Sequence, residues 1–232
     1  MIHRAYFFDS VRYYLDSNRA LTGEQVDGLE ALLGYYEGPA GVDFDDRMLA
    51  YVLATTWHET AFTMQPIREY GSQAYLKAKP YYPWFGRGYV QLTWEENYKR
   101  QDTKLELGGA LMRDPDLALT PPVALPVLFG GMRDGDFTGK RLAAFFTVDL
   151  TDWYNARTIV NGHDCAADIA AYAEKFLNAI AHTFDPPQRA GRQEDTMSER
   201  RPEDTDPKPA PAEEPVPPPP PDDDAGDDDA PA

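Results

Sequence analysis

The chain has 232 residues, a net charge of −17 and one cysteine, Cys165. A single thiol excludes an internal disulfide and a cysteine-built zinc cluster, and the acidic balance argues against a nucleic-acid partner. No run of about 18 apolar residues occurs, so no membrane insertion is expected.

Charge and proline are unevenly spread. Residues 186–232 hold 13 of the 21 prolines, with 14 acidic and 5 basic residues and almost no large apolar side chains. Such a segment buries too little apolar surface to offset its ordering entropy, so a disordered Pro/Asp-rich tail is expected over 186–232. Its default role is a solubilising extension; a virion-assembly tether and a segment that blocks a basic cleft are the alternatives. Residues 1–185 are rich in Tyr, Phe, Leu and Ala and are long enough for a real core. The start, Met1-Ile2-His3-Arg4-Ala5-Tyr6, has no long apolar run before a small-residue cleavage site, so no secretory signal is expected. That places synthesis and folding in a reducing cytoplasm, and any target outside the cell is reached with outside help.

Taken in order, residues 4–16 place Phe7 or Phe8, Val11, and Tyr14 or Leu15 on one helical face. Thr22-Gly23-Glu24-Gln25 is a capping-box pattern, followed by a stripe of Val26, Leu29, Leu32 and Leu33 to about Tyr36. Gly38, Pro39 and Gly41 break it. Asp43, Asp45 and Asp46 suit a helix start, and a helix from about Asp46 to Phe62 is apolar on nearly all sides. It is the candidate central buried helix, ended by Pro66. Residues 67–84 read as loop, closing on Lys79-Pro80-Tyr81-Tyr82-Pro83-Trp84. A Gly86-Arg87-Gly88 turn precedes a strand over Tyr89 to Leu92. Thr93-Trp94-Glu95-Glu96 reads as a second capping box, opening a helix to about Leu107. Pro121 and Pro122 suit the first turn of another helix, to about Met132. Short helices are expected at 138–146 and 151–160, and Asp164 is expected to cap a last helix to about Phe184. The fold class is mainly α within α+β: a helical bundle around a central buried helix, with one small antiparallel sheet beside a cleft.

The stretch Thr55 to Tyr98 carries the chemistry. Glycoside hydrolysis needs two carboxyl groups flanking one bond, one holding its proton and the other ionised. Glu59 fits the first role, near the C-terminal end of an apolar helix, beside Trp57 and before Ala61 and Phe62. Glu69 fits the second less uniquely; it follows Pro66 beside Arg68, and pairing with Arg68 or a lysine is the competing reading. Ten residues of continuous helix would separate the two by about 15 Å, whereas an inverting enzyme needs roughly 6.5–9.5 Å. A loop after Pro66 must therefore fold Glu69 back across the cleft. Glu95 and Glu96 read as capping or solvent residues. His58-Glu59 is no zinc-protease signature, because Phe62 stands where the second His would be; His163 and His182 are isolated, and no metal is expected. Gly86-Arg87-Gly88 is too short for a phosphate loop. The Thr93 hydroxyl has two competing uses, capping the next helix or holding a water.

Several motifs in order resemble glycoside hydrolase family 19, the family of plant-type chitinases and of bacteriophage endolysins in the lysozyme-like superfamily. They are Trp57-His58-Glu59-Thr60, Glu69, Phe85-Gly86-Arg87-Gly88-Tyr89-Val90-Gln91-Leu92-Thr93, and Asn97-Tyr98. Arg113-Asp114-Pro115-Asp116-Leu117-Ala118 is similar to the family's Asn-Pro-Asp-Leu segment, with Asp114 in place of Asn. Asn155-Ala156-Arg157-Thr158-Ile159-Val160-Asn161-Gly162 is similar to its Asn-Gly motif. The resemblance spans roughly residues 45–182. It implies a lysozyme-like fold and an inverting mechanism, with Glu59 as general acid, Glu69 as general base and Thr93, in place of the usual Ser, positioning the water. It implies further that His58, Gln91, Asn97 and Asn161 line the sugar cleft and that Arg87 braces the turn. Tyr70, Tyr89 and Trp94 either stack on sugar rings or pack in the core. The implied partner is a polysaccharide, peptidoglycan or chitin, bound by a monomer without cofactor. The missing export signal and disulfides favour an endolysin-type enzyme; the acidic charge favours neutral chitin. A catalytically silent sugar-binding or virion domain is the alternative from another class.

Overall fold

The computed structural model describes residues 1–15 and 20–181. The expected tail, 186–232, and the expected end of the last helix near Phe184 lie outside these residues, as does His182. The described residues form a mostly helical fold with one small antiparallel sheet. Its helices are α1 (Arg4–Tyr14), α2 (Gly23–Glu37), α3 (Asp46–Glu59), α4 (Gln73–Lys77), α5 (Glu95–Lys104), α6 (Ala110–Arg113), α7 (Pro121–Asp134) and α8 (Ala166–Ile180). The strands are β1 (Ile67–Arg68) and β2 (Arg87–Gly88), paired antiparallel with Ile67 opposite Gly88 and Arg68 opposite Arg87. Among the described residues, no helix is long and apolar enough to cross a membrane.

The centre is α3. Asp45 caps it, accepting from Met48 N at 2.9 Å, and every residue from Leu49 to Trp57 is buried. Such all-round burial explains why the sequence shows no polar face. Helix α8 packs along α3, and α1 lies on α8, with the Phe7 and Phe176 rings stacked 6.4 Å apart and Trp57 edge-on to Phe176 at 6.3 Å. The expected capping box forms: Thr22 Oγ1 accepts from Gln25 N at 3.2 Å, and Gln25 Oε1 accepts from Thr22 N at 2.8 Å.

Helix α3 stops at Glu59, short of Phe62 and well before Pro66. The stop is a tight left-handed turn, with φ of 48° at Ala61, 68° at Phe62 and 58° at Met64. Residues with a Cβ rarely adopt this region without support. Two glutamine amides from outside and inside the turn supply it. Gln25 Nε2 donates to Phe62 O at 2.9 Å, and Gln65 Nε2 donates to Glu24 O at 2.6 Å. Gly28 of α2 permits the approach, since a Cβ there would sit 2.0 Å from Met64 O. A local proline signal thus gave way to a tertiary clamp.

Four further expectations are corrected. Strand β2 is Arg87–Gly88 itself; Tyr89, Val90 and Gln91 form the reversal, closed by Leu92 N donating to Arg87 O at 2.8 Å. The capping box at Thr93 does not form, because Trp94, at φ 75°, occupies the cap position and α5 starts at Glu95. Asp164 does not cap α8; Cys165 stands there at φ 53° with no side-chain cap. Residues 67–84, expected as loop, contain β1 and α4. Pro121 opens α7 as expected, and the two short helices appear as 3₁₀ turns at Leu142–Ala144 and Asn155–Ile159.

Candidate active site

Glu59 ends α3, and its surroundings are not the purely apolar ones expected. Arg157 Nη1 donates to Glu59 Oε1 at 2.5 Å, with the arginine side chain 2% exposed and the glutamate 16%. The arginine comes from the 3₁₀ turn at Asn155–Ile159, and its Nε donates to Asp164 O at 2.9 Å. One guanidinium therefore joins the catalytic candidate to the loop that carries Asn161. Arg157 lies inside the Asn-Gly motif, but nothing in its sequence neighbourhood signals a partner 98 positions away.

The buried side of α3 leads up to this pair. Thr55 and Tyr51 lie one and two helical turns before Glu59, and both hydroxyls are buried. Burial pushes the Tyr51 hydroxyl well above the ordinary tyrosine range, and the Arg157 charge works against that shift. Thr56 and Thr60 donate to the carbonyls of Val52 and Thr56 at 2.9 and 2.7 Å.

Glu69 follows β1, and both its oxygens are held. Tyr81 Oη donates to Oε1 at 2.8 Å, and Gly86 N donates to Oε2 at 3.0 Å. The Glu69 amide donates to Gly86 O at 2.7 Å, extending the two-stranded ladder. Accepting from Tyr81 is the main reason that tyrosine's hydroxyl is pushed up to about 12. Arg68 does not pair with Glu69. Successive strand residues face opposite ways, and Arg68 pairs with Asp116 instead.

Asp116 also receives Arg87 Nε at 2.7 Å. Arg87 is buried; its Nη1 donates to Pro83 O, Phe85 O and Tyr98 Oη at 3.0–3.1 Å, and its guanidinium lies 3.7 Å from the Phe85 ring centre. It braces the turn that presents Gly86 to Glu69. The Pro-Asp-Leu segment contributes through Asp116, a structural anion for two arginines.

The remaining candidates divide. Thr93 Oγ1 donates to Gln91 O at 2.8 Å from a half-buried position and caps no helix. Trp94 is half exposed and edge-on to Tyr81 at 5.3 Å, beside Glu69, and Tyr70 is largely exposed. Tyr89 is a correction: it is 1% exposed, lies in the core and offers no face to a sugar. Gln91, at φ 53°, spends its amide nitrogen on Ile67 O and Gly88 O, at 3.2 and 3.3 Å. Asn97 donates to Thr93 O at 2.8 Å and accepts from Arg100 at 2.8 Å. Both amides therefore hold the frame. His58 is half-buried one residue before Glu59. Asn161 is exposed, its Oδ1 accepting from Gly162 N at 2.9 Å. The structure thus gathers Glu69, Tyr81, Gly86, Gln91 and Trp94 into one contact network and Glu59, Arg157 and the 155–164 segment into another. A surface depression on α5, lined by Glu96, Lys99, Arg100, Thr103 and Lys104, includes none of these residues. Among the described residues, no group of His, Cys, Asp and Glu is arranged to hold a metal ion.

No protein-family model matches the sequence, and no curated protein matches it. Solved structures similar to the chain include chitinase C from Streptomyces griseus HUT6037, at 20% identity and a TM-score of 0.45 over 78% of this chain and 77% of that one. A mutant of chitinase C aligns at 22% identity and a TM-score of 0.44, over 79% and 93%. A bacterial family 19 chitinase aligns at 22% identity and a TM-score of 0.39, over 77% and 94%. At these values the function of the site rests on the chain's own residues.

Proposed function

We propose that the chain is a glycoside hydrolase that cleaves β-1,4 bonds of the peptidoglycan glycan strand, with inversion, in the manner of an endolysin. The observation that carries this reading is the state of the two carboxylates. Glu59 and Glu69 are both partly accessible, and each is fixed by dedicated donors. The exposed ring of Trp94 meets Tyr81, the donor to Glu69. Glu59 is the general acid for the leaving oxygen; Arg157 holds its carboxylate in position in the free protein, and Glu59 takes up the proton it donates once substrate displaces that pairing. Glu69 is the general base for the attacking water, its carboxylate aimed by Tyr81 and Gly86 N. Thr93 Oγ1 accepts from that water. Tyr70 and Trp94 offer stacking faces to sugar rings, and His58 and Asn161 are polar neighbours for the glycan. Preorganised carboxylates of this kind supply the acid–base and positioning terms of glycosidase catalysis.

In this reading the protein acts as a monomer, is made in the cytoplasm, and meets the wall after release through a membrane lesion made by another protein. The acidic charge of −17 favours a second reading, a chitinase working on a neutral polymer. Clearing of purified peptidoglycan by the wild type, and its loss in a Glu59→Gln variant that is still folded at the assay temperature by circular dichroism, is the expected result. Cleavage of chitin oligomers alone would move the protein to the second reading. A folded protein that cleaves neither would be a silent sugar-binding domain.

A further inference from the structure

Between Glu69 and Tyr81 the chain forms a closed loop, its ends joined by the Tyr81 hydroxyl on the Glu69 carboxylate. Helix α4 lies within it, capped by Ser72 Oγ accepting from Tyr75 N at 3.2 Å. Tyr75 is half exposed, yet it is no stacking platform. One edge of its ring is pressed on Gly71, where a Cβ would come within 2.4 Å of Tyr75 Cδ1 and where φ is 154°. Lys79 Nζ sits over the ring, 4.1 Å from its centre. The tyrosine is therefore a pedestal for an ammonium group.

Among the described residues that ammonium has no anion: Lys79 makes no ion pair, and neither does Lys77 at the end of α4, whereas Arg68 and Arg87 both serve Asp116. The nearest carboxylate along the loop, Glu69, is already taken up by Tyr81 and Gly86 N. Lys79 lies two positions before Tyr81, in the turn closed by Tyr82 N donating to Lys79 O at 3.1 Å, so the backbone that carries it leads directly into the residue that holds the general base. A lysine tail normally keeps several rotamers open; seating it on an aromatic face removes much of that freedom before any ligand arrives.

We propose that Lys79, held on Tyr75, is the specificity-determining cation of this site and recognises a carboxylate carried by the glycan beside the cleaved bond. Chitin carries none. Peptidoglycan carries one on the lactyl ether of each muramic acid or on its stem peptide. The local charge that matters is thus opposite in sign to the charge of the whole chain. The inference rests on the glycosidase reading above.

The test compares three soluble glycans: peptidoglycan strands stripped of peptide, so that the lactyl carboxylate is free; the same strands methyl-esterified; and strands with the stem peptide attached. Wild type, Lys79→Gln, Lys79→Arg and Tyr75→Ala are assayed on each for kcat/KM, against chitin oligomers as reference. Lys79→Gln is expected to lower the ratio of peptidoglycan to chitin activity by about tenfold, the loss of one charge-assisted contact. Lys79→Arg restores the ratio, Tyr75→Ala lowers it, and added salt weakens the discrimination. Discrimination that persists on stripped strands and vanishes on esterified ones assigns the lactyl group; discrimination only with peptide attached assigns the stem peptide. An unchanged ratio in Lys79→Gln overturns the proposal. If the wild type cleaves nothing, the glycosidase reading fails alone, and the proposal is judged by binding. Stripped strands titrated into wild type and Lys79→Gln must then show the same tenfold loss, or the proposal falls as well.

Discussion

The Arg157–Glu59 pair is the contact most open to measurement. Consider the cycle of Glu59→Gln, Arg157→Gln and the double variant. The arginine is 2% exposed and the glutamate 16%, so water screens the pair poorly. At a charge separation of about 4 Å and an effective dielectric of about 20, the attraction is about 4 kcal/mol. Desolvation of both groups returns part of this, which leaves a coupling of about 2–3 kcal/mol. Each single variant strands one buried charge or one buried acceptor, so each is destabilised; the double variant strands neither charge and recovers much of the loss. For a domain of this size about 2–3 kcal/mol corresponds to a melting shift of roughly 5–10 °C. Urea unfolding of the four proteins at neutral pH measures the coupling directly. A value below about 0.5 kcal/mol, the range of exposed pairs, would refute the assignment of Arg157 as the fixed orienter of Glu59. The same four proteins separate chemistry from stability: Arg157→Gln should lower kcat, whereas Glu59→Gln should remove it.

Tyr81→Phe deletes the donor to Glu69 Oε1 and leaves Gly86 N in place, so kcat should fall about tenfold with a smaller change in KM; steady-state kinetics on soluble glycan would show it. Gly28→Ala forces a Cβ against Met64 O, which should cost about 1–3 kcal/mol in denaturant unfolding and disturb the turn after Glu59; equal stability would mean that α2 does not clamp that turn. Stability should also fall in acid. Arg133 and Lys104 hold the Asp134 carboxyl below its usual range, Arg4 does the same for Glu37, and Asn155 for Asp152. Carboxyls depressed in the folded state add stability above their unfolded values, near pH 4, and that stability is lost as pH falls through the folded values. Asp134→Asn should flatten the acid limb of a stability–pH curve; an unaltered limb would clear this residue of the role.

Some of this protein was legible in its sequence because the information was local. The apolar run of α3, the Thr22–Gln25 box and the proline start of α7 are matters of spacing within one or two turns, and each formed as expected. Ordered motifs also picked out Glu59 and Glu69 as the carboxylates to watch. What the sequence left open was decided by contacts between distant residues. Gln25 and Gln65 tie the 60–65 turn to α2 and end α3 before Pro66 can. Arg157 reaches Glu59 across 98 positions, and Asp116 draws Arg68 away from Glu69. Tyr89 went to the core because the reversal after β2 turns its ring inward, where a tyrosine next to a Gly-Arg-Gly run gives no sign of its direction. Side-chain type and helical period are properties of neighbours in the chain. The partner of a charge, the end of a helix under tertiary clamp, and the face a ring presents are set only when the chain closes on itself, because they depend on burial and on distances that sequence separation does not encode.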